Sequence, residues 1–211
     1  MRKSVNKVLI IFLSFLLVIM GTTSSFAAES AKAFGISEFY PTYIDDMDFA
    51  FGGFEKLGYD ASTCTAYRAD IFQWLQANSN NYGFYITTHG PLDQDAANGV
   101  SFFLTEEYSY IYPSDITGNW HLVYIDACNS KRSNSFADAF KITGRSNRAY
   151  LGWATQVPIV SANQFNDYFW NTYVTTRSIQ AAAVAAAGQV PGSGTTPIRF
   201  AGDTSWYGYA N

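Results

Sequence analysis

Three short runs of β-branched and aromatic residues dominate the chain: YGFYITT (residues 82–88), HLVYIDA (121–127) and RAYLGWA (148–154). Runs of this length and composition form buried strands. Around them, apolar residues recur at helical spacing. Met47, Ala50, Phe51, Phe54 and Leu57 do so ahead of Gly58, although Gly52 and Gly53 weaken that helix; Ile71, Phe72 and Leu75 do so over residues 66–76, ahead of the turn-rich NSNN (78–81). SNSFADAF (133–140) opens on serine and asparagine caps. Residues 160–176 place Phe165, Tyr168, Phe169 and Tyr173 on one helix face, and the alanine-rich stretch 177–188 forms a further helix with Gly188 as its stop. Between the first two runs, VSFFLT (100–105) reads as a strand and EEYSYIYPSDI (106–116) as a hairpin or loop excursion. Strands separated by helices imply an α/β fold, a mostly parallel sheet flanked by helices on both faces. The carboxyl ends of such strands form the functional edge.

The first 27 residues carry Arg2, Lys3 and Lys7, then an apolar run over residues 8–20, then small residues suited to cleavage after Ala27. That is the pattern of a secretory signal peptide, so residues 28–211 are expected to be an exported single domain with no membrane span after signal removal. Without the leader, ten basic residues face 17 acidic ones, a net charge of −7. A nucleic-acid binder would show a basic excess, so that class is excluded. A chain of this length buries a core without staples, and two cysteines do not make a disulfide scaffold. No linker or change of composition precedes the loop PGSGTTP (191–197), which favours one domain, and a monomer is expected.

The chemistry concentrates at two strand ends. YGFYITT delivers His89 and Gly90, and HLVYIDA delivers Asp126 and Cys128. Parallel strands bring these ends to one edge, and the 38 residues between His89 and Cys128 suffice for a crossover with a hairpin insertion. An ordinary thiol is only a few per cent ionised at neutral pH, so a nucleophilic Cys128 needs an imidazole, His89, or the positive end of the helix near Ser133. Gly90 can offer its amide beside that of Cys128 to an oxyanion. The competing reading is a bridge between Cys128 and Cys64, which export permits. His121 begins its strand and belongs at the opposite edge.

A strand ending in His-Gly, followed by a strand ending in Asp-Ala-Cys, resembles the caspase-like cysteine peptidases: caspases, metacaspases, clostripain, gingipains and legumain. MDFAFGGFEKLGYD (47–60) is similar to that family's first helix and Gly-Tyr turn, RAYLGWATQV (148–157) to the strand and loop after the nucleophile, and the alanine-rich helix to its late helix. The match runs from about Phe34 to Gln189. It departs from the caspase signature at Asp126, which replaces glutamine, and at Asn129-Ser130, which replace the usual following pair. The resemblance implies a caspase-like αβα sandwich and a secreted endopeptidase acting on peptide or protein substrates through a Cys128 and His89 dyad. It implies cleavage after Arg or Lys, with Asp126 and Asp46 (or its neighbour Asp45) as pocket acids and Trp153 as a pocket wall. It calls for no metal or cofactor and leaves calcium activation open, as in some relatives. Lys131 and Arg132 become either self-cleavage sites or solvated charges.

Bland readings stand beside these. Asp126 caps a turn in one of them, Trp153 is core, and the aromatic SWYGY (205–209), in a chain 18% aromatic, is a binding surface only if exposed. At the level of the whole chain the alternatives are a catalytically silent binding or signalling module of the same fold, and a disulfide-closed secreted binding protein.

Overall fold

In the computed structural model the described residues form eight strands in two sheets: β1 (Ser30–Gly35), β2 (Asp60–Thr65), β3 (Asn81–Thr87), β4 (Phe103–Leu104), β5 (Tyr110–Ile111), β6 (Leu122–Asp126), β7 (Ala149–Trp153) and β8 (Ile198–Gly202). It describes residues 28–76, 81–190 and 198–210. The leader, the loop 191–197 and most of the NSNN turn lie outside the described residues. The main sheet has the order β2-β1-β3-β6-β7-β8. Its first five strands are parallel, and β8 returns antiparallel to β7.

Helices α1 (Thr42–Lys56), α2 (Arg68–Gln76), α3 (Asp93–Ala97), α4 (Ser135–Ala139), α5 (Ile159–Asn166) and α6 (Ile179–Gln189) connect the strands. The alternation of side chains along each strand divides the core in two. On β6, Leu122 and Tyr124 join one cluster with Phe54 of α1, Phe165 of α5 and Ala182 of α6; Val123 and Ile125 join the other with Ile71 of α2 and Phe136 of α4. This is the αβα sandwich expected from the sequence. Among the described residues no helix is long and apolar enough to cross a membrane.

Several elements differ from the sequence expectation. The α1 helix starts five residues earlier than predicted, and Gly53 inside it is required: a Cβ there would lie 2.2 Å from the Trp170 ring. The helix predicted over 160–176 changes winding after Asn166, continuing as a π-helical turn over Asp167–Tyr173 that buries Phe169 and Trp170. Gly188 does not stop α6, which runs through it to Gln189. VSFFLT forms only the two-residue β4, paired with β5 in a small hairpin. β1, β2 and β8 were not anticipated.

Candidate active site

β3 and β6 are parallel neighbours, with Thr87 directly opposite Asp126 in the register. The residues that follow each strand therefore emerge together at one sheet edge. The Thr88 amide donates to the Asp126 carbonyl at 3.1 Å, its hydroxyl to the Leu104 carbonyl at 2.8 Å, and the Leu104 amide to the His89 carbonyl at 3.0 Å. The backbone at Thr88 and His89 is thus tied to both β6 and the inserted hairpin.

His89, Cys128 and Asp126 line a single cleft of about 420 Å³, with Phe39, Val157 and Ile159 among its apolar walls. The His89 ring meets Phe39 edge-on, 4.6 Å between centroids, and its Nε2 lies 3.0 Å from Glu38 Oε2. A carboxylate only accepts, so Nε2 carries the proton and Nδ1 is left as the basic nitrogen. The Tyr108 hydroxyl, from the β4–β5 hairpin, donates to the same Glu38 oxygen at 3.0 Å. Ser37, next to Glu38, is gripped by the Glu106 carboxylate through its amide at 2.7 Å and through its hydroxyl. Glu38 was not singled out in the sequence. It lies 51 residues from His89, and no motif joins the two.

Gly90 packs against the Cys128 backbone so closely that a Cβ would fall 1.9 Å from the Cys128 carbonyl oxygen and 3.1 Å from its nitrogen. Neither the Gly90 nor the Cys128 amide donates to another backbone carbonyl among the described residues. β6 stops at Asp126, and Cys128 sits in the turn beyond it, half-buried. Asp126 and Cys128 still face the same cleft, by way of that turn and not by strand alternation. The Val157 amide donates to the Cys128 sulfur at 3.5 Å. Burial pushes the thiol upward, and the nearby Asp126 and Asp93 carboxylates add to this against hydrogen bonds from the Val157 amide and from the cysteine's own amide. The helix expected to lower it is α4, a five-residue element beginning at Ser135, too short and too late in the chain for that role. Cys128 therefore rests as a neutral thiol. Both cysteines are free, so the bridge to Cys64 does not form.

The departure from the caspase signature after the cysteine is structural. Asn129 adopts φ 59°, a conformation asparagine tolerates better than most residues, and its amide donates to the Pro91 carbonyl and to Asp93 Oδ1, each at 2.9 Å. The Ser130 hydroxyl donates to the Ile125 carbonyl at 2.7 Å and accepts the Trp153 amide at 3.0 Å. The Lys131 amide donates to the Trp153 carbonyl at 2.8 Å, and its side chain is buried against Asn134. Lys131 is thus neither a solvated charge nor an accessible cleavage site.

Asp126 is 4% exposed and its carboxylate is held from three sides: by Trp153 Nε1 at 2.5 Å, Asn166 Nδ2 at 2.7 Å and the Tyr85 hydroxyl at 3.2 Å. The turn-cap reading of Asp126 gives way to this. Trp153 does not wall the cleft: it is fully buried in the core, and its indole reaches the site through Asp126. Asp46 is the buried member of the Asp45-Asp46 pair, and it sits behind the cleft lining, joined to Asp126 through Asn166. Asn163 and Asn166 escaped the sequence reading. Two amides three residues apart beside Phe165 and Phe169 were the available signal.

His121 lies at the far end of β6, paired with Glu29 at 3.0 Å and stacked on Tyr82. In the aromatic tail, Tyr207 and Tyr209 are exposed and stacked on each other, while Trp206 packs against the core. Among the described residues no three His, Cys, Asp or Glu side chains converge as a metal-binding group.

No family model matches the chain, and no curated protein matches it. Among solved structures it is similar to a crystal structure of caspase-1 from Spodoptera frugiperda, with 10% identity, a TM-score of 0.48, and 85% of this chain and 91% of that chain covered. The reading of the site rests on its own geometry.

Proposed function

We propose that the protein is an exported, monomeric cysteine endopeptidase of the caspase-like kind that cleaves after Arg or Lys. One observation carries the reading: Gly90 lies flat on the Cys128 backbone, with neither residue's amide donating to a backbone carbonyl among the described residues, in a cleft that also presents His89 and Asp126. As Cys128 Sγ attacks the peptide carbonyl, its proton passes to His89 Nδ1. The negative charge that develops on the carbonyl oxygen is met by the Gly90 and Cys128 amides. His89 then gives the proton to the leaving amine, and a water activated by the same imidazole hydrolyses the thioester. Glu38 holds the ring in the tautomer this sequence of steps needs. Asp126, buried and facing the cleft, favours a basic side chain before the cleaved bond and disfavours an acidic one.

The test is turnover of fluorogenic Arg and Lys peptides by the wild type, with Cys128→Ala as the control and an acidic peptide as comparison. Cleavage of the basic peptides alone, lost in the control, is the expected result. A thiol that alkylates readily but turns nothing over would assign the chain to the silent binding module instead.

A further inference from the structure

Behind the cleft lining, two carboxylates with no cation between them share one amide. Asn166 Nδ2 donates to Asp46 Oδ1 at 2.9 Å and to Asp126 Oδ2 at 2.7 Å. The remaining donors are Asn163 and Thr87 to Asp46, and Tyr85 and Trp153 to Asp126, all of them neutral. Neither acid forms an ion pair among the described residues. Two like charges gathered around one nitrogen in a buried setting do not both ionise cheaply.

The hydrogen bonds also say where a proton fits. Each oxygen of Asp126 meets a good donor. Among the described residues Asp46 Oδ2 has only the Thr87 hydroxyl at 3.5 Å, too long for a strong bond, so it is the oxygen free to carry hydrogen. The carbonyl oxygen of Asn166 is buried without a partner, which adds further uncompensated negative potential to the same spot.

We propose that Asp46 and Asp126 hold a single proton between them while the cleft is empty, seated on Asp46, and that a basic side chain docking against Asp126 expels it. The inference rests on the basic-pocket reading above. In the step, the Asp46 O–H bond breaks, its electron pair stays on oxygen and the proton leaves to solvent. The ligand's cation takes over the compensation of charge. The other ionisable groups that bear on the pair are Tyr85 and Tyr124 from the sheet and Cys128 from the turn, and each is driven toward its neutral form by burial. Burial first, and the charge of Asp126 second, push Asp46 up to about 8, and burial pushes Asp126 up as well. The pair accordingly keeps its proton at neutral pH.

Titration calorimetry with benzamidine, a small aromatic cation, tests this from pH 6 to 9 in buffers of different ionisation heat. Binding that releases one proton tightens about tenfold per pH unit on the acid side and levels off above about pH 8. Asp46→Asn, which retains His89, should bind benzamidine without that slope and without proton release. Infrared spectra of the ligand-free protein supply an independent readout: a buried carboxylic-acid carbonyl band that fades as pH rises and is missing in Asp46→Asn. Benzamidine binding of constant affinity across the range, or a slope that survives in Asp46→Asn, overturns the shared proton and leaves the basic pocket standing. No binding at any pH overturns both.

Discussion

A Cβ on Gly90 would sit 1.9 Å from the carbonyl oxygen of Cys128, so the turn after β3 and the turn after β6 fit together only when residue 90 has no side chain. Gly90→Ala should therefore separate the two turns and lower kcat/KM by roughly a hundredfold or more through loss of the paired amides. Steady-state kinetics beside thermal unfolding check this. An alanine variant of normal activity would show that Gly90 does not form the oxyanion site.

Glu38 acts on His89 and not on substrate, so its removal should register in kcat more than in KM. Glu38→Gln, which keeps an acceptor but loses the charge, is expected to lose roughly tenfold, and Glu38→Ala roughly a hundredfold. A rise in KM with kcat unchanged would show that Glu38 serves substrate binding and not the orientation of His89.

Asp126→Ala leaves Trp153 Nε1, Asn166 Nδ2 and the Tyr85 hydroxyl facing an empty site. Stranded buried donors cost about 1–3 kcal/mol each, so denaturant unfolding should show one of the most destabilised variants of this protein. Asp126→Asn preserves shape and loses charge. Its kcat/KM for Arg and Lys peptides should fall at least a hundredfold, with far less effect on neutral peptides.

The raised Asp46 carboxyl also bears on stability. A group whose folded pKa lies above its unfolded value contributes stability that is complete below the ordinary carboxylate range and is lost as pH climbs toward the folded value, here about 8. Melting temperatures of the wild type should consequently decline between about pH 4 and 8 relative to Asp46→Asn. The two curves running parallel across that interval would mean Asp46 is ionised throughout.

How much of this was legible depended on whether a residue's role is local in the chain. β3, β6 and β7 announce themselves because central strands buried on both faces need continuous apolar runs. β2 is an edge strand whose sequence DASTCT has no buried residue, and β1 relies on the small residues Ala31 and Ala33 to admit α1, so neither carries that signature. The same division holds at the site. His89, Gly90, Asp126 and Cys128 follow strand ends and could be read there. Glu38 and Asn166 reach them from 51 and 40 residues away, and only the folded sheet makes them neighbours. Trp153, a pocket wall by resemblance and core by the plainer reading, is core, because the alternation that puts Leu151 there puts Trp153 there as well.

Ser130 and Lys131 fasten the cysteine turn to the end of β6 and to Trp153 of β7 by three hydrogen bonds that involve neither substrate nor any cut end of the chain. If Cys128 attacks as proposed, its scaffold is complete once the sheet has closed. Activity would then begin with folding itself, and restraint would fall to where and when the chain is allowed to fold.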